Sequence, residues 1–175
     1  MRLFVAVALP DSVADLVAAL PRPDRSGLRW TTPAQWHVTL RFLGEAPPGE
    51  VIPAVHGALA RMEPKTAPVA RLGPATEWFP GRRVLQVPVA GLDHVAAAVR
   101  PATEAWGAQD EPPFAGHLTL ARTVGRRRGP ADVAGALLSA GFPVTEVGVY
   151  SSRPSRQGSV YERLSTYPLA LPGRL

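Results

Sequence analysis

Apolar residues arrive along this chain in two rhythms, as short unbroken or alternating runs and as stretches spaced by three and four. The opening run RLFVAVAL, Arg2 to Leu9, is branched, apolar and short, and predicts a buried strand. Beyond Pro10, Val13, Leu16, Val17 and Leu20 share one helical face, with Asp11 or Ser12 placed to cap it. PRPDRSG reads as loop, and LRWT and WHVTLRFL as strands parted by the turn Thr32-Pro33-Ala34-Gln35. EVIPAVHGALARME is helical, with Pro53 expected in its first turn, where a missing N–H is tolerated. APVARLG and RVLQVPVA are strands on either side of the turn-rich ATEWFPGRR. LDHVAAAVRPATEAWG is a helix that Pro101 should kink, and GHLTLAR is a strand followed by the basic loop TVGRRRGP. ADVAGALLSA predicts a helix ending at Gly141. FPVTEVGVY and SVYERLSTYPL close the chain as paired strands joined by SSRPSRQG.

The series repeats itself. A strand centred near Val5 precedes His37 by 32 residues, and one centred near Gln86 precedes His117 by 31. Each is followed by a helix, then by a strand carrying the phrase H-x-T-L, at 37–40 and at 117–120, then by a loop. A further helix is expected from Val51 and another from Ala131. Two copies of one unit explain this, and duplicated units commonly pack about a pseudo-two-fold axis with equivalent strands face to face.

Composition narrows the classes. A chain of 175 residues, 46% hydrophobic and 19% charged, suits one domain or two small lobes around a real core. No cysteine is present, which removes disulfides, thiolate metal sites and thiol nucleophiles, and fits the cytoplasm. The apolar start carries one Arg and stops at Pro10-Asp11 without a cleavage pattern, so it reads as a strand and not as a leader. No run approaches the roughly twenty apolar residues of a membrane span. The net charge of +5 biases the protein toward anionic partners. A GC-rich genome accounts for it equally well, because eighteen of the nineteen basic residues are Arg, beside twenty Pro.

Alternation along a strand puts His37 and Thr39 on one face and Val38 and Leu40 on the other, and treats His117, Thr119, Leu118 and Leu120 in the same way. Two such polar faces across a cleft offer two imidazoles and two hydroxyls to whatever lies between. Metal binding usually needs a third protein ligand, and no carboxylate stands in register. A serine-type triad needs a marked nucleophile and an orienting acid, and neither is evident. Acid–base chemistry on a phosphodiester fits: one His deprotonates an attacking water, the other protonates the leaving oxygen, and Thr and Arg hold the phosphoryl oxygens. A single H-x-T reads as a structural pair at a lobe interface; the second copy turns the reading toward chemistry.

HVTL and HLTL, with RLFVAVALP at the start, HVTLRFLGE after the first His, PFAGHLTLAR around the second and a Tyr-containing terminal strand pair, resemble the two-histidine phosphoesterases. Within them the chain is similar to the bacterial RNA 2′,3′-cyclic phosphodiesterases, also called 2′-5′ RNA ligases, over essentially its whole length. The resemblance implies an α+β fold: a single two-lobed domain over 1–175, each lobe an antiparallel sheet with outer helices, and the histidines in the cleft between. It implies hydrolysis of a 2′,3′-cyclic phosphate RNA end to a 2′-phosphate without metal or other cofactor, with His37 as proton donor and His117 as proton acceptor. Thr39, Thr119 and Arg122 become phosphate-binding groups. Strict alternation turns Arg122 away from His117, so a bulge or strand end must bring it back. Arg41 has the better parity and is a candidate contact, as are Phe42 and Trp78. The expected partners are RNA or nucleotides with a 2′,3′-cyclic phosphate, tRNA halves among them, and the expected state is a monomer.

Other features have plainer readings. His56 and His94 lack a Thr partner and read as surface residues. GRRRG, Gly125 to Gly129, grips RNA phosphates or is a solvated loop. Tyr150 and Tyr161 edge the cleft or belong to the sheet. Three other functions share these motifs: binding of RNA ends without turnover, opening of ADP-ribose 1″,2″-cyclic phosphate, and cleavage of 2′-5′ oligoadenylates.

Overall fold

The computed structural model describes residues 1–63, 67–156 and 158–169. In chain order the elements are β1 (Arg2–Ala8), α1 (Asp11–Ala18), β2 (Leu28–Trp30), β3 (His37–Glu45), α2 (Pro48–Arg61), β4 (Val69–Leu72) and β5 (Glu77–Trp78). There follow β6 (Val84–Ala90), α3 (Asp93–Ala102), β7 (His117–Thr123), β8 (Ala140–Pro143), β9 (Glu146–Ser155) and β10 (Gly158–Pro168). All the ladders are antiparallel, and the strands follow the path β10-β9-β1-β3-β7-β6-β4-β8, with β2 beside β7 and β5 beside β6. The path reads alike outward from its middle, with an H-x-T-L strand on each side. β3 and β7 pair there through Val38 opposite Leu118, so that the strands form one ten-stranded sheet and not the two separate sheets expected.

The two H-x-T-L strands have similar registers with their neighbours. Ala6 pairs with Thr39 and Ala8 with His37; eighty residues on, Gln86 pairs with Thr119 and Pro88 with His117. Apolar residues four apart give each helix its inner stripe: Val13 and Val17 in α1, Val51, Val55 and Leu59 in α2, Val95 and Val99 in α3. They share one core with Val5, Val7, Val38, Val87 and Leu118 from the central strands. Full burial of each such side chain contributes about 1.5–3 kcal/mol.

Several expectations change. Residues 131–140 are not a helix: a short 3-10 turn at Ala131–Val133 gives way to irregular chain. Gly135 adopts φ 95°, outside the helical region, and the segment pairs with Thr76 instead. Gly135 N–H donates to the Thr76 carbonyl at 2.8 Å, Ala136 N–H to its hydroxyl at 3.0 Å, and Thr76 N–H to the Ala136 carbonyl at 2.8 Å. α3 stops at Ala102 instead of continuing through a kink, and the Thr103 hydroxyl donates back to the Val99 carbonyl at 2.8 Å. α2 begins at Pro48, so Pro53 lies inside it and not in the first turn. Pro10 precedes α1, and no side chain caps it. Among the described residues, no helix is long and apolar enough to cross a membrane.

Candidate active site

A cleft of about 700 Å³ opens where β3 meets β7, and His37, Thr39, His117, Thr119 and Arg122 all line it. With Val38 opposite Leu118, antiparallel register sets His37 toward Thr119 and Thr39 toward His117. Val38 and Leu118 are fully buried on the reverse face, as the alternation requires. Neither threonine hydroxyl is engaged by another described side chain.

Both imidazoles are held alike. His37 Nδ1 lies 2.9 Å from the Gln35 carbonyl, and His117 Nδ1 lies 2.8 Å from the Ala115 carbonyl. A carbonyl only accepts, so Nδ1 carries the proton in each ring and Nε2 is left free. Gln35 is itself held by a capping box, in which Thr32 N–H donates to the Gln35 side chain at 3.0 Å. Gln35 Nε2 also reaches the Ser159 carbonyl of β10 at 2.8 Å.

Aromatic rings surround the imidazoles. Phe4 lies 4.8 Å from His37 and Tyr161 meets it edge-on at 5.0 Å, while Phe79 meets His117 edge-on at 4.7 Å. This burial is the main force pushing His37 down to about 4 from 6.5; the Gln35 carbonyl opposes it, and the charges of His117 and Arg122 add to it. His117 is also lowered, chiefly by burial, with the Ala115 carbonyl opposing and Arg122 adding. The empty cleft therefore holds two neutral imidazoles near neutral pH. Among the described residues its lining includes Arg2, Arg29 and Arg122 and no carboxylate, a surface suited to an anion. Among the described residues no group of three His, Cys, Asp or Glu side chains is arranged to hold a metal.

A bulge brings Arg122 into the cleft. Leu85 pairs with Ala121 and Gln86 with Thr119, so β7 carries one extra residue at Leu120, and Leu120 and Ala121 are both buried. Parity flips there, and Arg122 returns to the histidine face. Thr31 secures the bulge: its hydroxyl stands 2.9 Å from both the Thr119 and Leu120 carbonyls, and its N–H donates to Leu120 at 2.8 Å.

The same device removes Arg41 from the site. Val5 pairs with Arg41 and Ala6 with Thr39, so β3 bulges at Leu40. Arg41 turns inward, 5% exposed, and donates to the carbonyls of Arg100 at 3.3 Å and Trp106 at 3.1 Å. It does not line the cleft; Phe42, the next residue, does, and is 56% exposed. Trp78 is also displaced from the expected role. Its indole donates to the Pro130 carbonyl at 3.0 Å and packs against Gly129, outside the cleft. Its neighbour Phe79 is the ring beside His117. Tyr161 lines the cleft, whereas Tyr150 stacks behind it on Phe4 at 5.3 Å. His56 is tied to Ser165 at 2.9 Å and to Tyr167 away from the site, and His94 is exposed on α3. Sequence reasoning singled out the pair Trp78-Phe79 for stacking, and it missed Thr31 and Phe4, which carry no motif of their own.

The family model for LigT like phosphoesterases matches residues 3–73. The RNA 2′,3′-cyclic phosphodiesterase of Thermus thermophilus is 34% identical over 187 residues, spanning 97% of this chain and 90% of that protein. Among solved structures, TT0787 of Thermus thermophilus superposes with a TM-score of 0.78 at 30% identity, covering 97% of this chain and 98% of that one. Apo LigT of E. coli has a TM-score of 0.70 at 24% identity, covering 96% of each chain, and shares the fold. Its motifs, its architecture and this likeness over nearly the whole length agree that the chain belongs to the LigT-like phosphoesterase family.

Proposed function

We propose that this protein hydrolyses the 2′,3′-cyclic phosphate at RNA ends to a 2′-phosphate, with His117 as base toward water and His37 as acid toward O3′. The observation that carries this reading is the matched pair of imidazoles, each with Nδ1 fixed and Nε2 free, in one cleft that has no carboxylate among the described residues. The name of the Thermus thermophilus relative supports the substrate. The order of the two histidines follows the resemblance to the two-histidine phosphoesterases.

Water attacks phosphorus opposite O3′ as His117 Nε2 takes its proton. The P–O3′ bond breaks as His37, protonated at Nε2, gives that proton to O3′. Thr39 and Thr119 donate hydrogen bonds to the non-bridging oxygens, and Arg122 stabilises the charge that gathers on them. Burial leaves both rings neutral when the cleft is empty; the phosphodiester's negative charge favours the imidazolium that the acid must be. A ribose 5′-hydroxyl attacking in place of water gives a 2′-5′ linkage by the same proton transfers, so RNA fragments such as tRNA halves serve the same site. Every group invoked comes from one chain, and a monomer suffices. Neither step calls on a metal or cofactor.

Incubation with a nucleoside 2′,3′-cyclic monophosphate tests the reading. The expected product is the 2′-phosphate alone. A 3′-phosphate product would make O2′ the leaving oxygen and contradict the placement of O3′ beside His37, and binding without product would make the protein an RNA-end binding module.

A further inference from the structure

We propose that the arginine surface running from the cleft over residues 124–129 is a track for the RNA chain upstream of the cyclic phosphate. The enzyme would then prefer RNA ends to cyclic mononucleotides. This rests on the cyclic phosphodiesterase reading above.

The surface is assembled from three separate segments. Residues 25–30, 79–86 and 121–129 hold eight of the eighteen arginines and no Asp or Glu. β7 stands between β2 and β6, with Arg29 and Val84 both opposite Arg122. The loop after β7 folds back between its neighbours and is pinned to both. Val124 N–H donates to the Gly27 carbonyl at 2.8 Å, and Gly129 N–H to the Arg82 carbonyl at 2.6 Å. Arg83 donates to the Gly125 carbonyl at 2.7 Å, and Arg127 lies along Gly27, whose φ of 80° suits glycine.

Arg126, Arg127 and Arg128 are thus displayed, exposed, on a fixed loop. Of this group Arg25 is paired with Asp132, and no ion pair joins the others to a carboxylate among the described residues. Such a cluster repels itself and weakens the fold, and among the described residues no carboxylate neutralises Arg126, Arg127 or Arg128. Arg29, Arg122, Val124 and Gly125 also line the cleft, so the surface begins at the catalytic floor. The opposite rim differs: on the β9–β10 hairpin Arg153 is paired with Glu162 and Arg163 with Glu146, leaving Arg156 at its tip. A cyclic phosphate ends its RNA, so the chain leaves the cleft in the 5′ direction only, and the arginine side offers charge to each phosphate it passes.

The test compares kcat/KM for a cyclic mononucleotide and for a short RNA ending in a 2′,3′-cyclic phosphate, across a range of salt. The proteins are the wild type, the triple variant Arg126→Ala, Arg127→Ala, Arg128→Ala, and the same three positions changed to Lys. The wild type should favour the RNA by about tenfold or more, and the Ala variant should lose that preference with the mononucleotide rate intact. Its salt slope for the RNA should fall by about 2, roughly 0.7 for each phosphate no longer neutralised, while the Lys variant keeps most of both. An active wild type indifferent to chain length, or an Ala variant that keeps the preference, overturns the track. So does an Ala variant that loses both substrates together, because the loop is then structural. No turnover of either substrate by the wild type overturns the phosphodiesterase reading, and the track with it.

Discussion

Phe42 and Arg122 hold matching positions on two strands that bulge alike. Each follows its histidine by five residues, and each faces the cleft because the strand bulges at Leu40 or at Leu120. One copy presents an aromatic ring and the other a guanidinium. The two strands match in pattern and the site they build is not symmetric: fixed positive charge stands at this position on one side only.

Arg122→Ala should therefore lower kcat and kcat/KM together, by about 10²–10³, the loss seen on removing one preorganised donor to an oxyanion. Arg122→Lys should recover only part, since an ammonium keeps the charge but not the planar fork. Phe42→Ala should act on KM with kcat nearly kept. Raised KM with unchanged kcat in Arg122→Ala would make Arg122 an ordinary binding residue.

Arg41→Ala should damage the fold and spare the chemistry. The side chain is 5% exposed and satisfies the carbonyls of Arg100 and Trp106, with Glu111 3.7 Å away. Removing it leaves those groups without their cation, a cost of about 3 kcal/mol readable in a urea midpoint. A folded variant with collapsed kcat would return Arg41 to the site.

The sequence carries the histidine pair plainly and its surroundings poorly, for physical reasons. Alternation alone places His37, Thr39, His117 and Thr119 on one side, because buried Val38 and Leu118 leave no other choice. The bulges are silent in sequence: Leu40-Arg41 and Leu120-Ala121 contain neither Gly nor Pro, so parity misdirects Arg41 and hides Arg122 unless a bulge is invoked. Residues 131–140 have helical composition, yet their partners near Thr76 come from a distant segment that no local pattern reveals. Phe79 over Trp78 is likewise decided by pairing: Trp78 is tied to Pro130, and the adjacent ring falls beside His117.

The pH profile should lean acidic in the free enzyme. The active form needs one proton on the histidine pair, and both rings have lowered values, His37 down to about 4. That form is most abundant between the two, so kcat/KM should already be falling as pH rises past 6.5. The kcat profile, which reports the substrate complex, should lie at higher pH, because bound phosphate favours the charged imidazole. A kcat/KM plateau centred above neutrality would contradict the burial argument.

Chelation should leave activity intact. Among the described residues the cleft offers two Nε2 atoms and no carboxylate, and its three arginines repel a cation. Excess EDTA should not change the rate on a 2′,3′-cyclic substrate. Loss of activity restored by zinc or manganese would overturn the proton-transfer scheme.

The central claim is that each histidine moves one proton, and the most direct test is a pair of alanine variants on two substrates. On a 2′,3′-cyclic nucleotide, His37→Ala and His117→Ala should each lose at least the roughly 10²–10⁴-fold that one acid–base group supplies. On a p-nitrophenyl phosphodiester, whose leaving oxygen needs no proton, His37→Ala should regain much of its rate while His117→Ala stays inactive. Recovery by His117→Ala alone would exchange the two roles, and recovery by neither would contradict proton transfer by the histidines.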